Sequence, residues 1–211
     1  KIYDKAVTLI KNDSTLLPVT ALDRNRIAAV AVGVSNQNRF QQWLKRYAEV
    51  TAFQVATVDS LRLLSSKLKE FETVIVSLHA VPKSELAALQ QVINSAGKSV
   101  LVLFDSPYAL DRLKPVVTQA GAVVVAYDNS DFAQISSAQA LFGGIPFSGR
   151  LPVSAGGFAA NSGIETRKCR LSYSFPEEVG ISTESLAGVE RIALEGIRQR
   201  AYPGCYVLVV K

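Results

Sequence analysis

Five polar residues stand where this sequence could do chemistry. His79, Asp105, Ser106, Asp128 and Asn129 each follow an apolar run that reads as a buried strand. Sheets covered by helices on both faces meet their ligands at the carboxyl ends of their strands. His79 is the sole histidine. An imidazole titrates near neutrality and could serve as acid or base; the sequence offers it no partner, so a loop histidine hydrogen-bonded to backbone is the preferred reading. Asp105 and Asp128 end different strands. Cleaving a glycosidic bond with retention takes two carboxylates about 5–5.5 Å apart, a distance that sequence spacing does not set, and neither aspartate is assigned a catalytic role. Asp105 or Ser106 reads first as the cap of a short helix with Pro107 in its first turn. Contact with a ligand or a neighbouring domain is the second reading.

Other chemistries lack their residues. The turn after the first buried strand is Val32-Gly33-Val34-Ser35-Asn36-Gln37, with a single glycine where a dinucleotide site needs three. No Walker pattern and no G-x-S-x-G occurs. Ser-x-x-Lys occurs at Ser66–Lys69 and Ser95–Lys98, inside a helix and at the end of one, where the serine is misplaced for a nucleophile. Two cysteines, Cys169 and Cys205, are too few and too far from His79 for a metal site. Reduced, packed thiols are expected rather than a disulfide. No cofactor and no metal is expected.

The elements that must position these residues alternate. Ile2–Ile10 has helical spacing, with Ile2, Ala6, Leu9 and Ile10 on one side. Strands are expected at 27–32, 50–55, 74–78, 100–104 and 123–127, as short apolar runs. Helices are expected at 40–47, from Asp59 through Leu68, at 84–96 capped by Ser84, at 108–113 ending near Pro115, and at 132–142. This repetition predicts an α/β fold: a three-layer αβα sandwich with a mostly parallel sheet over residues 1–155. The Gly-rich stretch 154–163 reads as a linker, 171–175 as an edge strand, 182–197 as an amphipathic helix capped by Ser182, and 205–210 as a strand. Residues 156–175 thus join the first domain to a second piece, 176–211.

With 48% apolar and 19% charged residues the chain can bury a sizeable core. Its net charge of +5 is scattered, where nucleic-acid binding wants a basic stripe; no nucleic-acid partner is expected. No apolar run reaches the roughly 18 residues of a membrane span. The chain opens on Lys1 and stops after an apolar run, so further sequence is expected at both ends.

Ordered motifs then narrow the field. Ala6–Asp13 followed by Leu16-Leu17-Pro18-Val19 resembles the opening "A-x-TLLKN…LPL" of the C-terminal domain of glycoside hydrolase family 3. Ser106-Pro107-Tyr108-Ala109-Leu110 resembles its "NPYAL" loop. Ala126-Tyr127-Asp128 and the run Ala138–Val153 resemble its closing strand, helix and "ALFG…P-x-G-K/R-LPV" turn. The flavour is that of the β-N-acetylglucosaminidase branch. The resemblance implies a domain beside a catalytic barrel of the same polypeptide, a carbohydrate substrate, retaining chemistry through a covalent glycosyl intermediate, and a periplasmic or secreted bacterial enzyme. In the family the nucleophile is a barrel aspartate, and in this branch the acid/base is an Asp–His pair of the barrel, so no catalytic residue is carried over. Asp105, Ser106 and Asp128 are expected to line the rim of the sugar site. Pro176–Ser182, the helix after it and Tyr202–Lys211 resemble the opening of a serine β-lactamase-like domain, which implies a downstream module whose own active site lies beyond Lys211. The rival expectations are a non-enzymatic flavodoxin-like ligand-binding module and a free-standing hydrolase built on His79.

Overall fold

Every strand of the sheet divides its side chains between two cores. The computed structural model of the chain describes residues 2–57, 59–80 and 86–210. In chain order the first unit contains α1 (Ile2–Ala6), β1 (Thr8–Asn12), β2 (Ile27–Val32), α2 (Arg39–Leu44), β3 (Val50–Val55), α3 (Asp59–Leu68), β4 (Thr73–Leu78), α4 (Leu86–Ser95), β5 (Lys98–Leu103), α5 (Ala109–Gln119), β6 (Ala122–Val125) and α6 (Asp131–Leu141). The six strands form one sheet in the order β1-β6-β5-β4-β2-β3, parallel except for β1. Successive residues of a strand point to opposite faces. Val74, Val76 and Leu78 therefore pack under α3, α4 and α5, while Ile75 joins α1, α2 and α6 on the other side. β2, β5 and β6 alternate in the same way, which is why they read as continuous apolar runs. The α/β class and the αβα sandwich expected from the sequence are the fold observed.

Three local expectations are corrected. The helical spacing of Ile2–Ile10 ends at Ala6, and Thr8–Asn12 is instead a strand antiparallel to β6. Pairing with a finished sheet outweighs a nine-residue helical pattern that alone is too short to hold. Pro115 does not end α5, which continues to Gln119. An interior proline costs about 3 kcal/mol; full burial of Val116 and Val117, each contributing about 1.5–3 kcal/mol, offsets it. Neither Asp105 nor Ser106 caps α5 with its side chain: the N-cap is Tyr108, and the first turn is held by Ser106 and Pro107 carbonyls. The expected cap of α4, Ser84, lies outside the described residues.

The stretch after α6 packs on the first unit, which extends to Leu171. Gly143 takes a φ of +73°, and an added Cβ would meet the Cys169 sulfur and Pro18. Leu151 and Ala155 are buried, Ile164 N–H donates to the Leu9 carbonyl outside β1, and Arg170 donates to the carbonyls of Val19 and Phe142. Both cysteines are free thiols, and they are exposed rather than packed.

The second unit, from Ser172, holds a 3₁₀ turn at Pro176–Val179 and α7 (Thr183–Arg198). Ser182 caps α7 as expected, its Oγ accepting from Ser185 N–H. No strand forms at 171–175 or 205–210; a strand needs a partner to satisfy its backbone. Among the described residues no helix is long and apolar enough to cross a membrane.

Candidate functional site

The carboxyl edge of the sheet gathers all the polar residues singled out from the sequence. The chain reverses direction between β2 and β4, since β3 lies outside β2 and β4 on its other side. In open α/β sheets that switch point is where a crevice opens. Here it is filled. Gly33 turns with φ +85° so close to Ala80 that a Cβ would sit 2.8 Å from the Ala80 backbone nitrogen. His79, following β4, is buried on the α2 and α6 face and stacks on Phe104 at 4.8 Å.

Polar partners complete the closure. His79 Nε2 lies 2.8 Å from Asn38 Nδ2 and 3.1 Å from Ser77 Oγ. His79 Nδ1 lies 2.7 Å from Asn129 Oδ1. Gln134 Nε2 donates to the same Asn129 oxygen at 3.0 Å, and Gln134 Oε1 accepts from Phe40 N–H. Arg39 and Asp131 pair at 3.1 Å between the first turns of α2 and α6. Burial pushes the His79 imidazole below the ordinary histidine value, the bond to Asn129 only partly opposing it. With both ring nitrogens engaged by protein groups, the geometry leaves His79 no nitrogen to offer a substrate. The sequence could not expose this network, because Asn38 and Asn129 stand 41 and 50 residues from His79.

The other end of the edge is open. Asp105 follows β5 and Asp128 follows β6, so the two lie on neighbouring strands. Asp105 is half-buried, and its Oδ1 accepts from Ser106 N–H at 2.6 Å; the Ser106 side is exposed. Asp128 is exposed, and its Oδ2 accepts from the Tyr3 hydroxyl at 2.5 Å. That bond, and then one from Ser130, hold its carboxyl below the usual aspartate range. Tyr127 adopts φ +67°, a left-handed conformation rare for a bulky residue. Its phenol is anchored 2.6 Å from Thr8 Oγ1, and burial raises its pKa. The rim thus presents oriented oxygen acceptors, suited to hydroxyl donors. Among the described residues no cluster of histidine, cysteine and carboxylate side chains could hold a metal ion.

No protein-family model matches the sequence, and no curated protein matches it. Solved structures do. A fungal multi-domain GH3 β-N-acetylglucosaminidase, described as carrying a unique GCN5-related glucosamine N-acetyltransferase region, matches with a TM-score of 0.58 at 20% identity, over 96% of this chain and 23% of that one. The β-glucosidase EmGH1 of Erythrobacter marinus matches with 0.54 at 12% identity, over 72% of this chain and 28% of that one. A Listeria innocua β-glucosidase in complex with glucose matches with 0.54 at 14% identity, over 68% and 25%. At these identities the likeness shows the fold, which is like that expected of a glycoside hydrolase family 3 C-terminal domain. The chain spans between 23% and 28% of the length of these structures.

Proposed function

We propose that this chain supplies the αβα accessory domain of a family 3 glycoside hydrolase, a retaining exo-β-N-acetylglucosaminidase whose catalytic barrel belongs to the same polypeptide. Fold likeness to glycosidases several times longer supports a partner domain. The observation that carries the N-acetylglucosaminidase branch is coverage. A match over 96% of the chain must run past Leu171 into the second unit, whereas matches over 68–72% need not. The N-acetylglucosaminidase structure thus shares more of this chain than the β-glucosidases do.

In this reading the bond-breaking groups lie in the barrel, and the domain buttresses it. Asp105, Ser106 and Asp128 line one rim of the sugar pocket, their oxygens accepting from sugar hydroxyls. The second unit begins a β-lactamase-like module. The close approach of Gly33 to Ala80 and the burial of His79 beside β2 and β4 count against a flavodoxin-like ligand-binding module, which would need space there.

The test is hydrolysis of a chromogenic β-N-acetylglucosaminide. The longer polypeptide should turn it over, and the 211-residue chain should not. Turnover by the 211-residue chain alone would overturn the reading. A longer polypeptide that cleaves only β-glucosides would move the assignment to another branch.

A further inference from the structure

His79 is fixed in one protonation state by groups that are themselves fixed by others. Asn38 caps α2: its Oδ1 accepts from Gln41 N–H at 2.9 Å. The amide nitrogen of Asn38 must then face His79 Nε2, which accepts. On the other side, Asn129 Oδ1 already accepts from Gln134, so it takes the proton of His79 Nδ1. Ser77 Oγ, 3.1 Å from Nε2, can donate or accept, so the two asparagines decide: only the neutral ring with its hydrogen on Nδ1 satisfies them both. A second proton on Nε2 would set donor against donor at Asn38.

Among the described residues the surroundings offer that proton no counter-charge. On α2 the nearest charge is Arg39, paired with Asp131 of α6. After β6, Asp128 is engaged by Tyr3. After β5, Asp105 is engaged by Ser106 N–H. β4 itself, Thr73-Val74-Ile75-Val76-Ser77-Leu78, has no ionisable side chain. Among the described residues, no carboxylate hydrogen-bonds to the imidazole.

We propose that His79 is a proton-operated latch: neutral, it adds a tie between the first turn of α2 and the 128–131 loop that opens α6, beside the Arg39–Asp131 and Phe40–Gln134 bonds; protonated, it releases Asn38 and loosens that rim. Burial places the release below ordinary histidine titration, so the latch holds at neutral pH and opens on acidification. The proposal is independent of the carbohydrate reading, because it concerns the loop's anchorage and not its ligand.

The test is a pH series on the 211-residue chain by NMR, where one histidine gives one imidazole signal. Amide exchange is followed beside it, relative to the intrinsic rate at each pH. The imidazole should titrate below about 6.5. Exchange at Phe40, Gln41, Ala133 and Gln134 should rise by about tenfold or more as it does so, since each pH unit past the pKa changes the neutral fraction tenfold. Exchange at 89–93, on the opposite face, should not follow. Asn38→Asp keeps the cap acceptor and sets a carboxylate against Nε2. It should move the titration above about 6.5 and abolish the acid-induced exchange. Titration at or above about 6.5 in the unaltered chain, exchange that ignores it, or an equal rise at 89–93 would each overturn the latch.

Discussion

Two parts of the sheet's carboxyl edge use polar side chains in opposite ways. Around His79, Asn38 ahead of α2 and Asn129 and Gln134 from the β6–α6 side spend their bonds on one another and on the imidazole. After β5 and β6, Asp105 is braced by the neighbouring Ser106 N–H and Asp128 by the distant Tyr3 hydroxyl, and Asp128 and Ser106 face solvent. A polar group whose bonds are all spent within the protein stabilises and positions; one with lone pairs left over can meet a partner. The first part therefore holds its own groups in place, while the second keeps acceptors accessible, which is why the proposed sugar rim is drawn from it.

The comparison can be broken most forcefully at Gly33. Gly33→Ala puts a Cβ against the Ala80 backbone at positive φ, and should cost on the order of 3 kcal/mol, read as a lower urea midpoint with unchanged slope. His79→Leu comes next. It strands the Asn38 and Asn129 amides in a part-buried site, and should cost about 2 kcal/mol by the same denaturation. It should also flatten the stability profile below about pH 6.5. The sign follows from linkage: a histidine whose folded pKa is lowered binds fewer protons folded than unfolded, so the unaltered chain loses stability as pH falls from the unfolded value to the folded one. On the open half the expected effects pass from stability to ligand. Asp128→Asn should change the urea midpoint little, because the carboxylate is exposed. In the longer polypeptide it should raise KM by about tenfold with kcat nearly unchanged, as loss of a charged hydrogen bond common to ground and transition states would. A fall in kcat at constant KM would place Asp128 in the chemistry instead. Ser106→Ala should be smallest, under about threefold in KM, because a neutral, solvated hydroxyl gains little on binding.

What the sequence made legible follows the same division. β2, β4, β5 and β6 were readable because burial on both faces leaves unbroken apolar runs such as Ile27–Val32. The helix at Ser182 was readable because its cap and apolar spacing are local. Thr8–Asn12 was not, because its partner is the last strand of the sheet and a neighbouring helical pattern masks it. Asp105, Ser106 and Asp128 were located by their places after strands, yet their hydrogen bonds, from Ser106 N–H and from Tyr3, carry no sequence mark. The latch was the least legible part. His79 stood out by its type, but its role is set by two asparagines that only the topology brings to it.

The antiparallel strand β1 has a consequence for how the chain is made. Thr8 meets the β6 side of the sheet at Tyr127, 119 residues later. At ribosomal rates that interval is on the order of ten seconds. Through it β2, β3, β4 and β5 can pair with one another as they emerge, each parallel pair closing a short crossover. The strand of this sheet that is synthesised earliest is among the last to be seated. The Ile164 bond to Leu9 then shuts the outer side of that strand only after the strap beyond α6 has been made.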